Sequence, residues 1–154
     1  MRIIYTRPDG GMSVVTPAIQ GKLEDETDAD WIERVKLLVV PSDATNVIVC
    51  STADFPANRL YRGAWRQDAN NLPTIDMPIA REVHRNLIRK VRVAEFAKND
   101  VLATVGLMTG DEVKKSQAAA RRTELCDATI DPAIDAAQTP EELALVAPAG
   151  LKII

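Results

Sequence analysis

Short apolar runs alternate with turn-forming clusters through the first fifty residues. Arg2–Thr6 and Met12–Thr16 flank Arg7-Pro8-Asp9-Gly10-Gly11. Proline presets φ near −65° and Asp-Gly accepts positive φ, so the pattern predicts a β-hairpin. Pro17 cannot donate to a ladder and closes the second strand. Thr27-Asp28-Ala29-Asp30 reads as a helix start, with a side-chain cap and early carboxylates. Trp31, Val35, Leu38 and Val39 then share one face at helical spacing, with Ile32 beside them. Pro41 stops this helix, and Ser42–Asn46 is a turn. The continuous apolar run Val47–Cys50 predicts a buried strand, which makes the order ββαβ.

Thr52–Asn71 has no clear period and reads as an irregular segment pinned onto the small sheet by Phe55, Leu60, Tyr61 and Trp65. Leu72–Asp76 predicts a last strand closed by Pro78. The period then changes. Ile79 to about Leu102 lacks Gly and Pro and predicts one long helix, with Pro78 in its first turn. Ile79, Val83, Leu87, Val91 and Ala94 form its apolar stripe. Gly106 and Gly110 predict a break over Val105–Gly110, and Asp111–Asp127 a second, alanine-rich helix folding back as an antiparallel hairpin. Val113, Ala118, Ala120 and Leu125 are modest knobs, so extra packing is expected from the first module or a partner. Asp131-Pro132 starts a short helix reaching Ala137, and the capping box Thr139-Pro140-Glu141-Glu142 starts another, to about Val146. The expected fold class is α+β: a small ββαβ-like module over residues 1–77, then a long-helix antiparallel hairpin with short C-terminal helices and an apolar tail over residues 78–154.

Composition narrows this picture only slightly. The chain is 46% apolar and 27% charged, enough for one sizeable core or two small ones. Aromatics are only 4%, so Trp31 and Trp65 are expected as anchors of one small core. No run of ~18 apolar residues suggests a membrane span, and Met1–Thr6 lacks a signal peptide's apolar core. Cys50 and Cys126 are too few for a disulfide framework, which suggests a reducing, cytoplasmic site of synthesis. A net charge of −3 argues against a protein that coats nucleic acid.

Candidate chemistry is sparse. His84 is the one histidine, inside Arg81-Glu82-Val83-His84-Arg85. No nucleophile lies near it in sequence, and it reads as a helix-surface or interface residue. His84, Cys50 and Cys126 do not recur at metal-ligand spacing, and Asp25, Asp28 and Asp30 lack the EF-hand pattern. Gly10-Gly11 joins two strands and is no phosphate cradle. Catalytic, cofactor and metal sites are therefore not expected. The one charged feature with a pattern is Arg81, Arg85, Arg89 and Arg92, at i, i+4, i+8 and i+11 on the long helix. As candidate partner-binding residues they suit carboxylates, with Glu24–Asp30 of another copy one possible complement. The alternative is a regulatory nucleic-acid binder using the basic helix 81–92.

The order of motifs carries a family resemblance. Tyr5-x-x-Pro8-Asp9-Gly10-Gly11-x-Ser13-Val14-Val15-x-Pro17 is followed by Glu26-Thr27-Asp28-x-Asp30-Trp31. Then come Asp54-Phe55-Pro56-x-x-Arg59-x-x-Arg62-x-Ala64-Trp65-Arg66 and Asp76-Met77-Pro78-x-Ala80-Arg81. The series closes with Asp131-Pro132-x-Ile134-x-x-Ala137-x-Thr139-Pro140-Glu141-Glu142-Leu143. Together these resemble small tailed-bacteriophage and prophage tail proteins of the tail or tail-fibre assembly type. The resemblance implies a non-enzymatic role in tail morphogenesis, as an assembly chaperone or a retained virion subunit. It implies phage tail or tail-fibre proteins, and other copies of itself, as partners. It also implies a location in the host cytoplasm during assembly or in the virion tail.

Overall fold

Ile3 and Ile4 are neighbours in sequence and both are fully enclosed. Adjacent strand residues point to opposite faces, so the sheet that holds them is covered on both sides. The computed structural model describes residues 1–153 and divides at Asp76/Met77 into two units. With 52% helix and 14% strand, the fold is α+β.

The first unit contains β1 (Arg2–Thr6), β2 (Met12–Val15), α1 (Asp28–Val39) and β3 (Thr45–Cys50). The strands form one antiparallel sheet in the order β2-β1-β3. In the hairpin turn Gly10 adopts φ +76°, its N–H donates to the Arg7 carbonyl at 2.9 Å, and Asp9 Oδ1 accepts from the Gly11 N–H at 2.8 Å. Thr27 caps α1, its hydroxyl oxygen accepting from the Asp30 N–H at 3.2 Å. On one sheet face Ile3 packs with Trp31 and Ile32 of α1, and on the other Ile4 packs with Cys50, Phe55 and Trp65. Both tryptophans are thus buried, but in two clusters rather than one core. The alternation of the strands separates them.

Several details of this unit differ from the sequence pattern. Leu38 and Val39 of the stripe expected on α1 are exposed, and of the run Val47–Cys50 only Cys50 is buried, Val49 being exposed. Strand β3 begins at Thr45, before the apolar run, and its register against β1 shifts between Ile4 and Thr6, where Asn46 takes φ +52°. The segment expected to be irregular contains β4 (Trp65–Gln67), which pairs antiparallel with β5 (Pro73–Ile75). Three residues are too few to show a period of two. The turn instead carries the signal, since Asp68 Oδ1 accepts from the N–H groups of Asn70 and Leu72 and Asn71 takes φ +61°. Gln67 ties this ribbon to the sheet by donating to the Asn46 carbonyl at 2.8 Å and accepting from the Thr6 hydroxyl.

The second unit is built on α2 (Met77–Thr109), 33 residues and therefore ~50 Å long. The break expected over Val105–Gly110 is not there: the helix runs through Gly106 and stops at Gly110. A Cβ on Gly106 would lie 3.0 Å from the backbone nitrogen of Lys115, so this glycine admits the returning helix rather than ending its own. Gly110, at φ +68°, is the stop. Its N–H donates to the Leu107 carbonyl at 3.4 Å and that of Asp111 to the Gly106 carbonyl at 2.9 Å, a Schellman closure. Capped by Asp111, α3 (Glu112–Asp127) returns antiparallel along α2, and α4 (Pro132–Ala136) and α5 (Pro140–Ala144) follow.

The buried line of α2 is Ala80, His84, Ile88, Asn99 and Gly106, displaced from the expected stripe, whose members from Ile79 to Val91 are only half-buried and whose Ala94 is exposed. On α3 only Ala118 and Leu125 are buried, and α5 supplies further packing against α2 from within this unit. Thr139 caps α5 as expected, but Glu142 accepts from the Gln138 N–H and so does not complete the reciprocal box. Among the described residues no helix is long and apolar enough to cross a membrane.

Because both sheet faces are covered, Ile3→Ala and Ile4→Ala should each cost ~2–5 kcal/mol. Denaturation followed by tryptophan fluorescence checks this; a sheet with one solvated face would tolerate one of the two. Gly110→Ala, which forces a Cβ into the left-handed region, should cost ~1–2 kcal/mol in the helical signal.

Candidate functional site

Periodicity places Arg81, Arg85, Arg89 and Arg92 along one edge of the buried line of α2, and their partners lie within the second unit. Arg81 Nη2 donates to the Ala137 carbonyl at 2.8 Å. Arg85 donates to the Thr129 carbonyl at 3.3 Å and to Asp135 at 2.7 Å. Arg92 Nη1 donates to the carbonyls of Leu125 and Cys126 at 2.9 and 3.2 Å, with its guanidinium 5.6 Å from the Phe96 ring centroid. Arg89, 46% exposed, meets Glu82 and Asn86 of its own helix. Carboxylates therefore account for part of the pairing, and backbone carbonyls near the ends of α3 and α4 account for the rest.

The acidic segment proposed as their complement is engaged locally. Glu26 accepts two bonds from Arg34 at 2.7 Å, which hold its pKa down to about 2, and Arg34 also donates to the Gly21 carbonyl. Asp28 pairs with Lys22 and Asp30 with the Thr27 hydroxyl. Glu24 and Asp25 are exposed.

His84 is not the surface residue its basic neighbourhood suggests; it is fully enclosed. Its Nε2 lies 2.7 Å from the Val146 carbonyl, and since a carbonyl only accepts, Nε2 carries the proton. Burial holds the histidine below its usual pKa, Arg85 adds to this, and the Val146 bond opposes it. The signal was its place between Ala80 and Ile88, four residues either way on one helix face.

The sequence pattern also missed three surface features. On α2, Val93, Val101, Leu107 and Met108 are exposed, and Val101, Val105 and Met108 fall on one face at i, i+4 and i+7. Between α2 and α3 lies a groove of about 240 Å³ lined by Asn99, Ala103, Leu107, Ala118, Ala119 and Arg122, among others. A larger open cleft of about 560 Å³ near Glu124, Asp127 and Asp131 is acidic. Among the described residues no three metal-ligating side chains gather at one point.

The unfolded chain's histidine protonates near 6.5, whereas His84 in place resists the charge. More protons bind to the unfolded state below that pH, so stability falls as pH drops through this range. The carboxylates with lowered pKa, among them Glu26 and Glu95, act only further down. The denaturation midpoint should therefore decline as pH falls below about 6.5, and His84→Gln should flatten that decline. Arg85→Glu removes two bonds and faces Asp135 and Glu82 with like charge; it should cost ~1–3 kcal/mol and raise hydrogen exchange over residues 129–137.

Comparison with protein families, with curated proteins and with solved structures yields no match to this chain.

Proposed function

We propose that this protein acts by binding other proteins during assembly of a bacteriophage tail or tail fibre, without catalysing a reaction. The observation that carries the binding role is the exposed apolar face of α2, where Val101 is 64% and Met108 83% exposed. Scattered apolar residues are normal on a surface, but a row on one helix face is a ready contact for a partner. The ordered motifs from Tyr5 to Leu143 support the tail setting. Arg81, Arg85 and Arg92 each donate to a backbone carbonyl, so this basic face has less to offer phosphates than its charge count suggests. This favours a protein partner over nucleic acid. The setting for the work is the host cytoplasm, and the protein is either released as a chaperone or kept as a small virion subunit.

Affinity capture of the tagged protein from phage-producing cells should recover tail or fibre proteins, and recovery of neither overturns the tail reading. Purified particles then separate the two roles, since a chaperone is absent from them. Val101→Glu combined with Met108→Glu should lower that recovery at least ~10-fold while leaving the helical signal unchanged, as exposed substitutions rarely move stability beyond ~0.5 kcal/mol.

A further inference from the structure

The outward side of α2 carries a heptad seam. Leu87, Ala94, Val101 and Met108 follow one another at heptad intervals, and Lys90, Ala97 and Thr104 fall between them at alternating steps of three and four. Such spacing keeps one seam on a helix and fits it to a second helix lying alongside. The seam faces away from α3, which α2 meets through Asn99 and Gly106. Leu87 is half-buried, but every later member from Lys90 to Met108 is exposed. Ala94 and Ala97 sit in its middle, and side chains this short let two helices approach closely.

The charges beside the seam select the occupant. Arg89 and Asp100 lie on one flank, Glu95 and Lys98 on the other. A second α2 fits antiparallel with its Ala94 facing Ala97 of the first. Val101 then lies over the stem of the other copy's Lys90, and Met108 reaches its Val83. Both flanks meet opposite charge: Arg89 comes beside Asp100 of the second copy, and Lys98 beside its Glu95, each contact occurring twice by symmetry. Their present partners, Glu82 for Arg89, Arg122 for Asp100 and Glu95 for Lys98, form exposed pairs that cost little to exchange. Other arrangements meet like charge. Sliding one heptad toward Met108 sets Lys98 against Lys98 and Asp100 against Asp100, and sliding the other way sets Asp100 against Glu82. A parallel pair in register sets Lys90 against Lys90 inside the seam.

We propose that the outward face of α2 is a self-association surface, on which a second copy of this chain lays its own α2 antiparallel with Ala94 facing Ala97. This rests on the protein-binding reading above and names a partner for the same face. A strip ~39 Å long and ~10 Å wide gives each copy only ~400 Å² of projected contact, so the dimer is reversible, with a Kd on the order of 10–100 µM. Sedimentation equilibrium of the full chain from ~5 µM to ~1 mM should show the mass rising from one chain toward two. Val101→Glu should raise the Kd at least ~10-fold with the helical signal unchanged. Arg89→Glu and Asp100→Arg should each weaken association ~5–10-fold alone, and mixing the two variants should restore it, because the mixed pair regains opposite charge at both sites. In a Cys126→Ser background, mild oxidation should join Ala94→Cys chains to Ala97→Cys chains faster than it joins either to itself. A single-chain mass at ~1 mM overturns the proposal and leaves the face to an unlike partner. Association untouched by Val101→Glu, a mixture no tighter than its components, or cross-links favouring like positions also overturns it. A dimer without recovery of tail proteins leaves this proposal standing and removes the tail reading; tail proteins recovered by a chain that stays single remove the self-association alone.

Discussion

Helix ends leave carbonyls without partners, and in the second unit arginines of α2 supply the missing donors. Arg92 reaches the last turn of α3, Arg85 the Thr129 carbonyl that follows it, and Arg81 the Ala137 carbonyl at the end of α4. Each bond also brings a cation to or near the negative end of a helix. The short helices α4 and α5, five residues each, are too short to persist alone. Their positions depend on what α2 offers them. The arginine stripe is first a set of struts.

The buried line of α2 explains why those struts are needed. Alanine, histidine, isoleucine, asparagine and glycine succeed one another along it, and these give less apolar area than a row of leucines. Small residues bring α3 close, as at Gly106, while polar bonds hold the edges. The remaining apolar side chains of α2, Val93, Val101 and Met108 among them, are left on the outside. A helix of 33 residues that buries a narrow strip keeps a long face for something else. That face and the groove at Asn99 are the parts of the unit that its own packing does not use.

In the first unit the controlling fact is a sheet of three short strands covered on both faces. Ile3 and Ile4 each anchor a separate cluster, and each cluster carries one tryptophan. The two faces are closed by different means. Helix α1 covers one with Trp31, Ile32 and Val35 of its first turns, and an irregular segment with the β4–β5 ribbon covers the other. Gln67 joins that ribbon to the sheet edge through Asn46 and Thr6.

Local chemistry made much of this architecture legible. The Pro-Asp-Gly-Gly turn, the Thr27, Asp131 and Thr139 caps and the proline boundaries act over a few residues. They predicted the first hairpin, α1, the two short helices and the change of character near Asp76 from the sequence. Longer-range outcomes were decided by tertiary structure. Gly106 reads as a stop until α3 is seen pressing against it, and His84 reads as a surface residue until its bond to the Val146 carbonyl is seen inside the unit. The arginine stripe was visible as a period of 3.6, but periodicity shows which residues share a face and not which atoms meet it. Orphan carbonyls arise only when chain ends dock, so the sequence alone pointed those arginines toward carboxylates. The groove at Asn99 was not legible at all, because it is a space between two helices whose separation no single segment encodes.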